Sequence, residues 1–399
     1  MRAYNFFVIV LLCVFIFLVD AAAYYWLLSI LEIIPSSFLT TLIKILFWFF
    51  TFGLISAILI LKLSLSYIDP SRRQRLISSM YGLTVSSFIP KIVFVVIISL
   101  LHYSNYIFSD SQSVIWVSIA GLVAGFLPFF VIVYATLKGL YRFKVYNITL
   151  KNEALKNLRI IQISDLHLGS FRSQYKVFDR AIKMINDLEP DFIFFTGDLV
   201  NNYAWELKGW EDSFKNLVAK RGKYAVLGNH DYGDYSVWPS PEEKQTNFEA
   251  IKGFFNEIGF TLLLNEAETV IVNFQEVAIV GVENWGKPPF KQYGDLPKAL
   301  SNVTDVSTKI LLSHDPSHWK EEVLNHPDIF LTLSGHTHGM QAGVSIAGKQ
   351  WSPIKYKYRE WAGLYQENNQ FLYVNRGLGW MGFPGRLGMR PEITCIDFE

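Results

Sequence analysis

The chain has 399 residues, of which 51% are hydrophobic and 16% aromatic, and its formal net charge is +1. This composition excludes a disordered chain, and two cysteines are too few for a disulfide scaffold. The charge is divided unevenly: residues 1–150 carry ten Lys and Arg against four Asp and Glu, whereas residues 151–399 carry 26 against 31. The first part is therefore typical of a membrane segment, and the second is a mildly acidic soluble part, which argues against nucleic-acid binding.

The first part contains four apolar stretches that approach or exceed the roughly 20 residues needed to cross a bilayer as a helix. They predict spans at about Phe6–Leu31, Phe38–Tyr67, Leu83–Leu101 and Val114–Leu137. Ala21–Ala23 would suit signal-peptide cleavage, but the apolar run continues beyond it, so we favour an uncleaved anchor. Asp20, inside the first span, is either a functional group or a residue at a helix break or an interface.

Basic residues predict the orientation of the spans. They cluster before the first span, between the second and third, and after the fourth, at Arg2, Arg72, Arg73, Arg75, Lys138, Arg142 and Lys144. The loops on the other side, Glu32–Ser37 and His102–Ser113, contain no Lys or Arg. We therefore expect a multi-pass protein of a bacterial-type inner membrane, with a membrane domain at 1–145 and a cytoplasmic domain at 146–399.

The second part alternates short apolar strands with helices. The predicted strands are Leu158–Ile163, Asp191–Phe195, Lys223–Leu227, Val277–Val280, Lys309–Leu312, Ile329–Leu333, Phe371–Val374 and Glu392–Phe398, and the predicted helices are Tyr175–Leu188 and Phe248–Ile258. Ligands of α/β sheets bind at the carboxyl ends of strands. Polar residues directly follow five of these strands, so we expect them to meet at one edge.

Those polar residues are good ligands for divalent metal ions. They are Asp165, His167, Asp198, Asn229, His230, His314, His336 and His338. The glycine before Asp198 lets the backbone turn sharply, so that the carboxylate can offer one oxygen to each of two ions. A His, Asp and Asn set without thiolate suits Mn²⁺, Fe²⁺, Zn²⁺ or Co²⁺, and its size predicts two ions. His318 and His326 are expected at the surface.

The order of these motifs resembles that of the calcineurin-like metallophosphoesterase superfamily. The matching motifs are Asp165–His167, Gly197–Asp198, Gly228–Asp231, His314 and Gly335–His338. Tyr373–Gly379 and Arg390–Thr394 resemble its bacterial branch, which includes the YkuE and YaeI phosphodiesterase-like proteins and often carries N-terminal membrane segments. The resemblance covers Leu158 to the C-terminus. It implies a four-layer αββα domain, with two central sheets flanked by helices, which here follows the α-helical membrane domain.

The resemblance also implies roles for the site residues. Asp165, His167 and His338 would hold a first ion, Asn229, His314 and His336 a second, and Asp198 would bridge them. His230 would be the catalytic imidazole and Asp231 the residue that orients it. The implied function is a membrane-anchored hydrolase with two divalent ions, Mn²⁺ being the first choice. It would cleave a phosphodiester or pyrophosphate, lipid-linked in one version, by attack of a metal-bound hydroxide.

The substrate is less well defined by the sequence. Arg386 and Arg390 are candidate substrate-binding residues, which could clamp a phosphate or pair with acidic loops. The aromatic stretches Tyr232–Trp238 and Trp351–Tyr365 suit either a membrane interface or core packing. Alternative functions are an inactive metal-binding sensor or scaffold, a nucleotide or nucleic-acid phosphodiesterase, and a protein phosphatase. No ligand is missing from the pattern, which argues against the sensor.

Overall fold

The computed structural model describes residues 5–108, 114–171, 175–288, 290–346 and 349–399. The chain divides into two compact units. One extends to Leu137 and includes Gly382–Gly385, and the other comprises Lys138–Met381 and Arg386–Glu399. The boundary expected at residues 145 and 146 is therefore several residues too late. The reason is that the strand Lys144–Leu150 pairs with the C-terminal strand and belongs to the second unit.

The first unit consists of long apolar helices, as predicted. They are α1 (Phe6–Leu31), α2 (Ser37–Ser64), α3 (Pro70–Phe108) and α4 (Val114–Leu137). In the described part of the chain, four helical segments are long and apolar enough to cross a membrane. Helix α3 begins well before the predicted Leu83, so the basic residues Arg72, Arg73 and Arg75 lie in its first turns.

The second unit contains both strands and helices. The strands are β1 (Lys144–Leu150), β2 (Arg159–Ile163), β3 (Phe192–Thr196), β4 (Gly222–Val226), β5 (Thr261–Leu262), β6 (Glu266–Val272), β7 (Gln275–Gly281), β8 (Thr308–Leu312), β9 (Ile329–Ser334), β10 (Val344–Ile346), β11 (Lys349–Trp351), β12 (Gly363–Glu367), β13 (Gln370–Val374) and β14 (Glu392–Phe398). The helices are α5 (Tyr175–Asn186), α6 (Glu211–Lys215), α7 (Pro241–Glu257), α8 (Leu296–Leu300) and α9 (Ser317–Glu321). Each of the eight predicted strands is present, with bounds within two residues of those expected.

Helix α7 begins seven residues before the predicted Phe248. The hydroxyl of Ser240 accepts a hydrogen bond from the backbone N–H of Glu243, and Pro241 occupies the first helical position. Both features favour a helix start. The polar residues of this first turn do not show the apolar period on which the prediction relied.

The strands form two mixed six-stranded sheets within the described residues. The first has the order β1-β14-β2-β3-β4-β5, with β14 antiparallel to β2 and the run from β2 to β5 parallel. The second has the order β12-β13-β9-β8-β7-β6, with β13, β9, β8 and β7 parallel. Strands β10 and β11 form a separate antiparallel pair.

The two sheets and the helices form four layers. Side chains from both sheets, such as Ile160 and Phe194 of the first and Ile310 and Leu333 of the second, share one buried core. A second core lies between the first sheet and helices α5, α6 and α7. A third lies between the second sheet and helices α8 and α9. The expected αββα arrangement is confirmed.

Candidate metal centre

The carboxyl ends of strands from both sheets bring the predicted ligands together. Strands β2, β3 and β4 are parallel neighbours, so the loops that follow them leave the same edge of the first sheet. The backbone N–H of Asp165 donates to the carbonyl of Gly197 at 2.9 Å, which ties two of these loops together. In the second sheet, β8 and β9 end side by side, and the N–H of Ser313 donates to the carbonyl of Leu333 at 3.0 Å.

The backbone at this edge is strained. Five of the predicted ligands adopt the left-handed region, with φ between +47° and +72°: Asp165, His167, Asp198, His336 and His338. Residues other than glycine rarely adopt this conformation, and such strain concentrates at functional sites. The fold therefore holds these side chains in positions that the chain would not choose locally.

Two glycines make room for the ligands. Gly197 has a φ of +95°, and a Cβ atom there would lie 2.5 Å from the backbone nitrogen of Gly228 and 2.7 Å from Nδ1 of His314. A Cβ atom at Gly335 would lie 2.3 Å from a carboxylate oxygen of Asp165. Only glycine fits at these two points of close approach.

The first group of ligands consists of Asp165, His167 and His338, all buried. Their ligand atoms lie within 4.8 Å of one another. The Nε2 atoms of His167 and His338 are 3.0 Å apart, and Nε2 of His338 is 3.3 Å from Oδ1 of Asp165. Two ring nitrogens and a carboxylate oxygen at these separations are a set of donors that fits one divalent ion.

The second group consists of Asp198, His314 and His336, whose ligand atoms also lie within 4.8 Å of one another. Nδ1 of His336 is 3.3 Å from Nε2 of His314. It is also 2.8 Å from Oδ1 of Asn229, which adds the neutral amide oxygen to this group. The predicted second set of ligands is thus brought together by the structure.

Hydrogen bonds fix which nitrogen each ring presents to the second group. Nδ1 of His314 donates to the carbonyl of Thr196 at 2.7 Å, so Nε2 is the nitrogen that faces the other ligands. Nε2 of His336 lies 2.7 Å from the hydroxyl of Tyr358, so Nδ1 is the nitrogen that faces the other ligands. Partners of this kind orient metal-ligating imidazoles in many proteins.

Because the site is buried, its carboxylates need nearby positive charge to be stable in their ionised form. Burial and the nearby Asp198 raise the pKa of Asp165 to about 7, and burial lowers the pKa of His167 to about 3. Burial would raise the pKa of Asp198, but the rings of His314 and His230 outweigh it and hold that pKa well below its usual range. Divalent cations would stabilise both carboxylates as anions, and the residues present therefore fit a metal centre.

His230 and Asp231 lie at this centre, but Asp231 does not orient the imidazole as expected. Nδ1 of His230 lies 2.8 Å from the main-chain carbonyl oxygen of Asn201. The carboxylate of Asp231 is fully buried and instead accepts four backbone N–H groups at 2.9 to 3.1 Å. The donors are Asp198, Leu199, Val200 and Gly228. Asp231 therefore fixes the loop that carries Asp198.

The two arginines proposed to bind substrate are engaged elsewhere. Arg386 is 2% exposed, and its guanidinium donates to the carbonyls of Arg376, Gly379 and Met389. Its burial lowers the pKa of Arg386 to about 10. Arg390 donates to the carbonyls of Arg142 and Phe143. Among the residues that the structure describes, neither arginine pairs with an acidic side chain, and carbonyl groups accept hydrogen bonds from both guanidinium groups.

Sequence reasoning missed several residues of the site. Asn201, Thr196 and Tyr358 belong to none of the predicted motifs, although Tyr358 lies in the aromatic stretch Trp351–Tyr365.

His318, which was expected at the surface, is fully buried. Its Nδ1 atom is 2.9 Å from the hydroxyl of Ser313, and its ring stacks on Trp285. The sequence did not indicate this burial, because His318 lies among polar residues and belongs to no motif.

Known proteins resemble both units. Residues 158–340 match the family described as "Calcineurin-like phosphoesterase", and residues 1–140 match "Probable Calcineurin-like phosphoesterase, transmembrane domain". The second match supports a membrane protein.

Individual relatives match about three fifths of the chain. The "Uncharacterized metallophosphoesterase YkuE" of Bacillus subtilis is 32% identical over 250 residues, which cover 60% of this chain and 79% of the relative. "Phosphodiesterase YaeI" of Escherichia coli is 28% identical, with 60% and 81% covered. A "Transmembrane protein with metallophosphoesterase domain" of Danio rerio is 30% identical, with 61% and 54% covered. The chain thus spans about half the length of that animal relative.

Proposed function

We propose, because this chain belongs to the calcineurin-like phosphoesterase family, that it hydrolyses a phosphodiester or pyrophosphate with the help of two divalent ions. The position of Asp198 carries this proposal. Its Oδ2 atom lies 3.6 Å from Nε2 of His167 and 3.3 Å from Nε2 of His314. Those nitrogens belong to the two different ligand groups, so one carboxylate can serve both ions.

The remaining ligands divide between the two ions. We assign Asp165, His167 and His338 to the first, and Asn229, His314 and His336 to the second. When bound, the ions would neutralise phosphoryl oxygens and lower the pKa of a water molecule so that it can attack near neutral pH. Mn²⁺ is our first choice, and Fe²⁺, Zn²⁺ and Co²⁺ suit the same nitrogen and oxygen donors.

His230 is the proposed proton donor to the leaving oxygen. The carbonyl of Asn201 accepts the Nδ1–H of its ring, so a protonated ring keeps its Nε2–H for the substrate. The backbone N–H of His230 also donates to Oδ1 of Asp198 at 2.8 Å, which holds the donor beside the metal ligands. Asp231 acts through the backbone that it binds and does not touch the ring.

A lipid-linked phosphoester is our favoured substrate type. The chain carries membrane-spanning helices, and aromatic and basic side chains lie beside the two partly exposed histidines of the site. The ring of Tyr235 is 4.6 Å from that of His230, and the ring of Phe290 is 5.0 Å from that of His336. The ammonium of Lys357 lies 5.2 Å from the centre of the Phe290 ring. An amphipathic tyrosine, an apolar phenylalanine ring and a cation together suit a lipid with an anionic headgroup.

We also propose that the second unit faces the cytoplasm. In the sequence, basic residues cluster before the first predicted span, between the second and third, and after the fourth, and the positive-inside rule places these positions on the cytoplasmic side. Protease treatment of intact cells tests this orientation. The second unit should resist digestion until the membrane is permeabilised, and digestion from outside would refute the orientation.

The activity is tested with the purified full-length chain reconstituted with Mn²⁺. Substrates are a chromogenic phosphodiester, a glycerophospholipid and a lipid-linked sugar-nucleotide pyrophosphate. We expect metal-dependent hydrolysis that Asp198→Ala abolishes and that Asp305→Ala, at an exposed aspartate, leaves unchanged. Hydrolysis at full rate by Asp198→Ala, or none by the unaltered chain on any of these substrates, would overturn the proposal.

A further inference from the structure

Large apolar side chains of the second unit are exposed in one short stretch of the chain. Among the described residues of this unit, five of the twelve exposed large hydrophobic side chains fall between Met340 and Tyr356. Scattered apolar side chains are normal at a surface, whereas clustered ones mark an interaction site. Four of the five form what we call the apolar face, with exposed fractions of 41 to 78%: Val344, Ile346, Trp351 and Tyr356.

The antiparallel pair of β10 and β11 places three of these side chains on one side. Val344 pairs directly with Trp351, and Ile346 lies two residues further along β10. Directly paired residues of antiparallel strands, and alternate residues of one strand, point to the same side. On the opposite side, the side-chain oxygen of Gln350 accepts a hydrogen bond from the buried guanidinium of Arg376. One side of the pair is therefore bonded to the domain, and the other is apolar and exposed.

The stretch that carries the apolar face is basic, although the unit as a whole is mildly acidic. Residues 344–359 contain no Asp or Glu, and their basic residues are Lys349, Lys355, Lys357 and Arg359. The ammonium of Lys355 lies 6.0 Å from the centre of the Trp351 ring and 5.2 Å from that of the Tyr356 ring. Trp and Tyr rings beside exposed cations are typical of the layer where a membrane meets water. The complementary partner is an apolar layer beneath a negatively charged surface.

Contacts within the second unit join the apolar face to the end of the fourth apolar helical segment. That segment, Ile119–Tyr141, includes Gly139. The backbone of Arg386 packs so closely on Gly139 that a Cβ atom there would clash with it. The carbonyl of the next residue, Leu387, accepts a hydrogen bond of 2.9 Å from the backbone N–H of Gly343, directly before the apolar face. A short series of contacts therefore ties the face to a residue of the fourth span.

We propose that the apolar face docks on the anionic surface of a lipid bilayer. Its aliphatic and tryptophan side chains insert among the upper acyl chains, and the exposed lysines contact the phosphates of the headgroups. Burial of apolar area and attraction between lysines and anionic lipids favour the same docked state. The same stretch reaches the metal centre, since the hydroxyl of Tyr358 lies 2.7 Å from Nε2 of His336. Docking does not depend on the proposed hydrolysis.

A fluorescent label on the apolar face tests docking with the full-length chain in lipid nanodiscs. Ile346→Cys carries a nitrobenzoxadiazole label, and both native cysteines are buried, so the introduced thiol is the accessible one. The discs contain phosphatidylglycerol or phosphatidylcholine, each with a lipid that carries a nitroxide quencher high on its acyl chain. We expect blue-shifted emission and strong quenching in phosphatidylglycerol, and weaker quenching in phosphatidylcholine. The control is Phe274→Cys, at an exposed apolar side chain between β6 and β7, which should not be quenched.

Three results would overturn the proposal. Quenching at Ile346 that does not exceed quenching at Phe274 would refute docking. A blue shift without quenching would show that a protein surface, such as a second copy of the chain, covers the face instead of lipid. Equal quenching in the two lipids would exclude the anionic surface as the partner.

A pair of charge reversals tests the contribution of the lysines. Lys355→Glu, introduced into the chain labelled at Ile346, replaces a cation beside the apolar face by an anion. One charge near an anionic surface changes the equilibrium about fivefold, so a reversal should lower the ratio of docked to undocked chain about 25-fold. Lys208→Glu, at an exposed lysine outside the basic stretch, changes the net charge equally and should leave quenching unchanged. Equal losses in the two variants would contradict docking through this face.

Discussion

Nδ1 of His230 lies 2.8 Å from the main-chain carbonyl oxygen of Asn201. A carbonyl oxygen can only accept, so this bond commits Nδ1 to carrying a proton. The ring therefore gains its second proton on Nε2, the nitrogen that remains for the substrate. The loop from Asn201 to Tyr203 is itself held by the buried carboxylate of Glu206, which accepts three backbone N–H groups. The direction of the imidazole is thus set by backbone geometry.

A proton donor matters most when the leaving oxygen is strongly basic. We expect His230→Ala to slow the hydrolysis of an alkyl phosphodiester by about 10²- to 10⁴-fold. The rate with a p-nitrophenyl leaving group should fall much less, because that oxygen departs without a proton. Kinetics with the two leaving groups measure the difference, and His326→Ala, outside the site, is the control. An equal loss for both leaving groups would show that His230 does not act as the acid.

Asp231→Asn tests the role that the structure gives to this carboxylate. The amide can accept with only one of its two arms, so some of the four backbone N–H groups that Asp231 binds would lose their acceptor. We expect a loss of about 1 to 3 kcal/mol in stability for each donor left unsatisfied, together with weaker metal binding through displaced Asp198. Thermal unfolding and metal analysis measure both. A change confined to alkyl leaving groups would instead support contact between Asp231 and the His230 ring.

Tyr358→Phe removes the hydroxyl that lies 2.7 Å from Nε2 of His336. Loss of such a partner typically costs about 10- to 100-fold in metal affinity. We expect the second ion to bind more weakly by that factor, as measured by metal titration of the purified chain. Tyr356→Phe is a matched control, because Tyr356 is 78% exposed. Similar metal affinities in the two variants would refute the role of Tyr358.

Arg386→Gln distinguishes a structural arginine from a phosphate clamp. Three carbonyl groups accept its hydrogen bonds, and Nη2 lies 3.3 Å from Nδ1 of His338. We expect a lower unfolding temperature and weaker binding of the first ion, with KM unchanged once metal is saturating. Arg359→Gln, at an exposed arginine, should have no effect. A rise in KM at saturating metal would restore the substrate-binding role.

The metal ligands could be predicted because each follows a strand whose apolar pattern is clear. Their meeting at one edge follows from the sheet order, since parallel neighbours end together, whereas their division between two ions followed only from the family resemblance. The partners of the ligands could not be predicted in this way. Tyr358 reaches His336 from 22 residues further along the chain, and Asn201 contributes only its backbone carbonyl, which any residue type could supply. The environment of Arg386 could not be predicted either, since its charge alone does not reveal that main-chain carbonyl groups accept its hydrogen bonds.

In the membrane unit, too, the sequence predicts the helices but not the contacts between them. The spans follow from apolar length alone, and Asp20 is visible as an anomaly in the first of them. Its partner Lys91 is 71 residues away, so the ion pair depends on how the helices pack. Nothing in the apolar pattern specifies that packing.

The most direct test of the central claim is a metal titration in which bound Mn²⁺ and the rate of phosphodiester hydrolysis are measured on the same samples of the full-length chain. We predict that the rate rises until about two ions are bound per chain, because both ligand groups must be filled. Asp198→Ala should bind fewer ions and remain inactive at any Mn²⁺ concentration. Full activity with one ion per chain, or with none, would contradict the account.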